Sequence, residues 1–109
     1  MYNKYGAKKI EYNGRLYHSK KEAEKAMELN LLQKAGKIKK IIPQYKVDLT
    51  IYGIHICNYY PDFYVEWANG DVEIIEIKGF VTPDWKLKWK LFEAVYKVEN
   101  PNIKLTVEY

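Results

Sequence analysis

The residues best placed to do chemistry are an aspartate and, after thirteen intervening residues, a glutamate two positions before a lysine: Asp62, then Glu76-Ile77-Lys78. On a strand, alternation puts Glu76 and Lys78 on one face, and a neighbouring antiparallel strand can bring Asp62 beside them. Such a group suits phosphodiester hydrolysis. A hard cation held by carboxylate oxygens neutralises charge on the phosphate and makes hydroxide accessible at neutral pH. Asp62 and Glu76 would hold that ion, while Lys78 would orient the water, favour its deprotonated form or stabilise the developing charge. The competing reading is a solvated face on which Glu76 and Lys78 pair, and the bare pattern favours it, because charged residues make up 29% of the chain. Against it, a half-buried face with Ile74, Glu76 and Lys78 opposite Tyr60, Asp62 and Tyr64 puts charge where packing prefers apolar groups, a violation expected at functional sites.

These residues need a scaffold, and local signals supply one. Residues 9–18 alternate around Asn13-Gly14, a dipeptide suited to a two-residue hairpin turn. Ser19 opens a helix in which Ala23, Ala26, Met27, Leu31 and Ala35 follow helical spacing, and Gly36 stops it. From Ile38 to Trp67 the chain is rich in Ile, Val, Tyr and Thr, which predicts two long antiparallel strands broken near Gly53. Asn69-Gly70 marks a turn into the strand DVEIIEIKG. Thr82-Pro83 begins a second helix, with a capping residue before proline at the first position. Trp85, Trp89, Phe92 and Tyr96 form a stripe that should pack on the sheet. Asn100-Pro101 ends that helix, and Ile103, Leu105 and Val107 alternate as a last strand. The order is a hairpin followed by αβββαβ, an α/β (α+β) fold in a single domain over residues 1–109.

Composition bounds the partners. Eighteen Lys and Arg against fourteen Asp and Glu give a net charge of +4 and favour a polyanion. One of those cations is an arginine, so the charge suits phosphate contacts more than base reading. A lone Cys57 and two histidines supply a structural zinc site poorly and fit a reduced, cytoplasmic setting. No apolar stretch suggests a membrane span or a secretory leader. Cys57 reads as a small buried hydrophobe, the aromatic residues as packing, and neither His18 nor His55 falls beside the acids in this layout.

With its strand context, the pattern resembles the PD-(D/E)XK nuclease superfamily over about residues 19–108. The matching residues are Pro61-Asp62 and Glu76-Ile77-Lys78, placed on the second and third strands of an αβββαβ order. Ser19-Lys20-Lys21-Glu22-Ala23, Pro61-Asp62-Phe63 and Lys78-Gly79 make it most similar to small phage endonuclease-like proteins, and to transposon end-cleaving and junction-resolving endonucleases. That resemblance implies a restriction-endonuclease-like core with a mixed sheet, Mg²⁺ or Mn²⁺ as cofactor, and branched DNA as substrate. It also implies that Asp62, Glu76, the Ile77 carbonyl and Glu22 hold the metal. Glu22 equally completes a capping box with Ser19, and the serine can cap while Glu22 turns to metal. Gln44 matches a glutamine that lines related sites, yet it follows Pro43 and by itself reads as a solvent-facing strand residue. Lys20, Lys86 and Lys90 would grip phosphate, whereas Lys88 reads as an ordinary solvated lysine with a partly buried stem. Two cuts in a junction would come most simply from a homodimer. The rival readings are an inactive nucleic-acid-binding module of the same fold and a phage protein that binds a host protein.

Overall fold

The computed structural model describes residues 9–109. A hairpin of β1 (Ile10–Tyr12) and β2 (Arg15–Tyr17) turns through Asn13 at φ 54° and Gly14 at φ 79°. Helix α1 (Lys20–Lys34) follows, and its N-cap Ser19 accepts a hydrogen bond from the Glu22 amide at 3.1 Å. Strand β3 (Ile38–Pro43) leads into a second hairpin, β4 (Val47–Ile51) and β5 (Ile54–Tyr59), before β6 (Phe63–Trp67) and β7 (Val72–Ile77). Helix α2 (Pro83–Phe92) runs on through a π-helical turn at Glu93–Lys97, and β8 (Lys104–Glu108) closes the fold.

The central sheet has the order β3-β6-β7-β8, with the first three strands antiparallel and β8 parallel to β7. The fold is therefore α+β with a mixed sheet, as the order of elements predicts. The region from Ile38 to Trp67 differs from the two long strands expected there. It forms four strands in two sheets, because the chain leaves the central sheet at Gln44, held at φ 51°, and rejoins it after Pro61-Asp62. The backbone closes this junction on itself: the amides of Gln44 and Tyr45 bond the carbonyls of Asp62 and Pro61 at 2.7 and 3.2 Å. Gly53 does mark a turn, at the tip of the inserted β4–β5 hairpin.

Strand alternation divides the core between the two faces of the sheet. Phe63, Val65, Ile75 and Ile77 pack with Tyr17, Ala23, Ala26 and Leu29, so the first hairpin and α1 cover one face. Ile74 packs on the other face with Val47, Leu49, Tyr59 and Phe92, flanked by Trp85, Trp89 and Tyr96. The aromatic stripe of α2 is thus core, as its spacing predicts. Among the described residues no helix is long and apolar enough to cross a membrane.

Candidate active site

The central strands deliver the sequence pattern to one end of the sheet. Tyr64 pairs with Ile74 and Phe63 with Ile75, so Asp62, one residue before β6, comes level with Glu76. Its Oδ2 accepts the Ile77 amide hydrogen bond at 2.7 Å, which fixes the carboxylate against the end of β7. Glu76 stands on the face covered by α2 and the inserted hairpin. Its Oε1 accepts from the Tyr59 hydroxyl at 2.8 Å, and its Oε2 lies 3.8 Å from the Lys78 ammonium. Trp85 donates from Nε1 to the Tyr59 hydroxyl at 3.2 Å, and the Lys78 Nζ sits 5.0 Å from the Trp85 ring centroid.

The third carboxylate comes from the opposite layer. Glu22 leaves α1 only 6% exposed, and its Oε1 is buried with no hydrogen-bond partner among the described residues. The Ser19 side chain performs its half of the capping box, but no return bond from Glu22 to the Ser19 amide is present among the described residues. Glu22 instead lies beside Asp62.

The electrostatics follow from burying like charges together. Burial, then the Asp62 charge, pushes the Glu22 carboxyl up to about 7 from its ordinary 4.5, with Lys78 and Gln44 opposing. The same two causes push Glu76 up to about 8. Burial also raises Asp62, against the pull of the Ile77 amide, its acidic neighbours and Lys78. Burial and the Glu76 carboxylate hold the Tyr59 hydroxyl protonated, so it is fixed as a donor. Asp62 is the middle member, since its charge acts on both glutamates.

All three carboxylates and Lys78 line one cleft of ≈ 460 Å³, together with His18 and Lys88. A larger concavity of ≈ 740 Å³ lies around the β6–β7 turn, lined by Trp67 and Glu73. Both Glu73 oxygens are already satisfied there, by Trp67 Nε1 at 3.0 Å and Thr106 Oγ1 at 2.6 Å, and the other acid on its wall, Asp71, is exposed. In the acid cleft the donors are carboxylate oxygens, the type a hard divalent cation takes, and one is an orphan. Among the described residues, no three or more His, Cys, Asp or Glu side chains already stand in ligand geometry.

The structure brings Glu22, Asp62, Glu76 and Lys78 together and corrects several neighbouring expectations. Gln44 is not a solvent-facing strand residue. It sits in the turn after β3, near Glu22, and its Oε1 accepts from Arg15 at 3.0 Å. His18 lines the cleft, contrary to its expected remoteness, whereas His55 lies on the inserted hairpin bonded to Asp48 at 2.8 Å. Lys88 is exposed, as a solvated lysine would be, and also borders the cleft, while Lys86 and Lys90 do not line it. Lys20 is exposed and sits 3.9 Å from Glu24. Cys57 is half-buried against the second core. Aromatic content alone marks Tyr59 and Trp85 as packing, and the signal for more is the period-two position of Tyr59 on a strand leading directly to Asp62.

The fold and the cleft together define an α+β protein with two buried glutamates, a half-buried aspartate and a lysine gathered at the end of a mixed sheet. The chain belongs to the family described as protein of unknown function (DUF1064), whose model matches residues 2–108. No curated protein and no solved structure matches it.

Proposed function

We propose that this protein is a metal-dependent endonuclease that hydrolyses DNA phosphodiester bonds in the cytoplasm, acting on branched DNA as a homodimer. The observation that carries the reading is the convergence of Glu22, Asp62 and Glu76 with Lys78 in one cleft, where a Glu22 oxygen is buried without a partner among the described residues. Neither a DNA-binding module nor an adaptor for a host protein requires two buried glutamates and an aspartate gathered in its cleft. The resemblance to PD-(D/E)XK nucleases supplies the substrate class.

Asp62, Glu76 and the Ile77 carbonyl would hold Mg²⁺ or Mn²⁺, with Glu22 as an outer ligand. Ile77 fits this role because its N–H points at Asp62, and the N–H and C=O of a ladder residue point to the same side. Bound there, the cation supplies charge neutralisation on the phosphate and lowers the pKa of water. Lys78 holds the attacking water by a hydrogen bond and stabilises charge developing on the phosphate. Lys88 and His18, on the wall of the cleft, bind the flanking backbone.

The test is cleavage of a labelled four-way DNA junction, with linear duplex and single strand as controls, in Mg²⁺, Mn²⁺ and EDTA, beside Lys78→Ala. The expected result is metal-dependent cutting of the junction that Lys78→Ala abolishes. Cutting of all three substrates would remove the junction preference and keep the chemistry. Binding without cutting in either metal would overturn the nuclease reading.

A further inference from the structure

We infer that Tyr59 and Trp85 are positioning residues of this cleft, a relay from the inserted hairpin and α2 that sets the orientation of both Glu76 and Lys78. The inference rests on the nuclease reading and adds to it two residues outside the acidic pattern.

The geometry has three links. Trp85 Nε1 donates to the Tyr59 hydroxyl at 3.2 Å, and that hydroxyl donates to Glu76 Oε1 at 2.8 Å. With Oε1 so engaged, the carboxylate cannot spin freely, and Oε2 is left on the side of Lys78, 3.8 Å away. The Trp85 ring then lies 5.0 Å from the same ammonium, so one indole holds the glutamate through its edge and attracts the lysine through its face. A tyrosine that only packs has no reason to spend its hydroxyl on a carboxylate in a cleft.

Packing makes the relay stiff. The Tyr59 ring lies 5.1 Å from Phe92, which is fully buried, and 6.3 Å from Trp89, while Trp85 stacks on Trp89 at 5.9 Å. Thr82 caps α2 by accepting from the Trp85 amide at 3.2 Å, which fixes where the indole begins. The hairpin inserted between β3 and β6 thereby acquires a role: its second strand ends in Tyr59, three residues before Asp62. An outer partner that orients a ligating side chain is commonly worth about ten- to a hundredfold in metal affinity or activity.

The experiment uses the full chain and two variants, Tyr59→Phe, which keeps the ring and removes the hydroxyl, and Trp85→Phe, which keeps a ring and removes the indole N–H. Mn²⁺ binding alone is measured by calorimetry, the unfolding temperature checks folding, and kcat and KM are measured separately on the cleaved substrate. Tyr59→Phe is expected to weaken Mn²⁺ binding and lower kcat by about tenfold or more, with KM for DNA and the unfolding temperature near wild type. Trp85→Phe is expected to move the same quantities in the same direction by less, and it carries the test should Tyr59→Phe not fold. Equal Mn²⁺ affinity and kcat in wild type and a folded variant would overturn the relay alone. Failure of the wild type to bind Mn²⁺ or to cut any DNA would overturn the nuclease reading, and the relay with it.

Discussion

Glu22 is where two physical demands meet on one residue. A glutamate three places after a capping serine gains by returning to the serine amide. Here it turns into the cleft, leaving Oε1 buried without a partner among the described residues, a geometry that costs stability unless a cation answers it. Glu22→Gln should therefore keep the Ser19 cap and relieve repulsion with Asp62. The expected outcome is an unfolding temperature unchanged or raised at pH 8, with cleavage reduced at least about tenfold, read by calorimetry and by the junction assay. The pH dependence follows from the same cluster. A carboxyl raised in the folded state holds a proton that the unfolded chain has already lost, so stability falls as pH rises across that interval. The window runs from the ordinary 4.5 to about 7 for Glu22 and about 8 for Glu76, with Asp62 contributing in the same sense. In EDTA, stability should decline by on the order of a few kcal/mol between pH 5 and pH 8, and Mg²⁺ should restore part of it at pH 8 by binding the folded state. A flat or rising urea midpoint over that range would contradict the charge assignment. At this scale Asp62, Glu76 and Lys78 were legible because strand alternation fixes their faces. His18 and Lys88 were not, because only the packing of hairpin and helix around the cleft decides which residues line its walls.

At the scale of elements, the turns could be read and the sheet boundaries could not. Asn13-Gly14 and Asn69-Gly70 announce their turns, and Thr82-Pro83 announces a helix start by chemistry that needs no tertiary contact. The change of sheet between Pro43 and Pro61 carries no comparable mark, because the residues on both sides of each break have high β-propensity and that propensity says nothing about which sheet a strand joins. The prolines were the available signal: Pro43 ends β3, and Pro61 stands immediately before Asp62. The α2 cap offers a test of how strongly an element end controls the cleft. Thr82→Ala removes the acceptor for the Trp85 amide and should cost about 1 kcal/mol in urea unfolding. Because α2 starts at the cleft wall, the same variant should lower cleavage more than that stability loss explains, whereas a caps-only role would leave kcat intact at temperatures where the protein stays folded.

At the scale of the whole molecule, the net charge of +4 coexists with a cleft whose innermost groups are acidic, so under the proposed function the cations that would meet DNA are those around the cleft. The helix α2 separates two sets of them. Trp85, Trp89 and Phe92 face the core, Lys88 borders that stripe on the cleft side, and Lys86 and Lys90, one turn apart, share a direction that does not reach the cleft. If DNA lies over the cleft, Lys88 is the lysine of α2 that releases counterions on binding. Junction affinity of the uncut complex, held in EDTA and measured across a salt series, should fall with a slope of about −0.9 per phosphate contacted. Lys88→Ala should weaken binding and reduce that slope by about one contact, while Lys86→Ala and Lys90→Ala leave it near wild type. An equal loss from all three would mean that the duplex wraps α2 instead of crossing the cleft, and it would shift the bound strand away from the carboxylates. If the protein acts as the proposed homodimer, a slope about twice that expected from one cleft would in turn place both copies on the same junction, each bringing its acid cluster to one of the two bonds a junction cut would break.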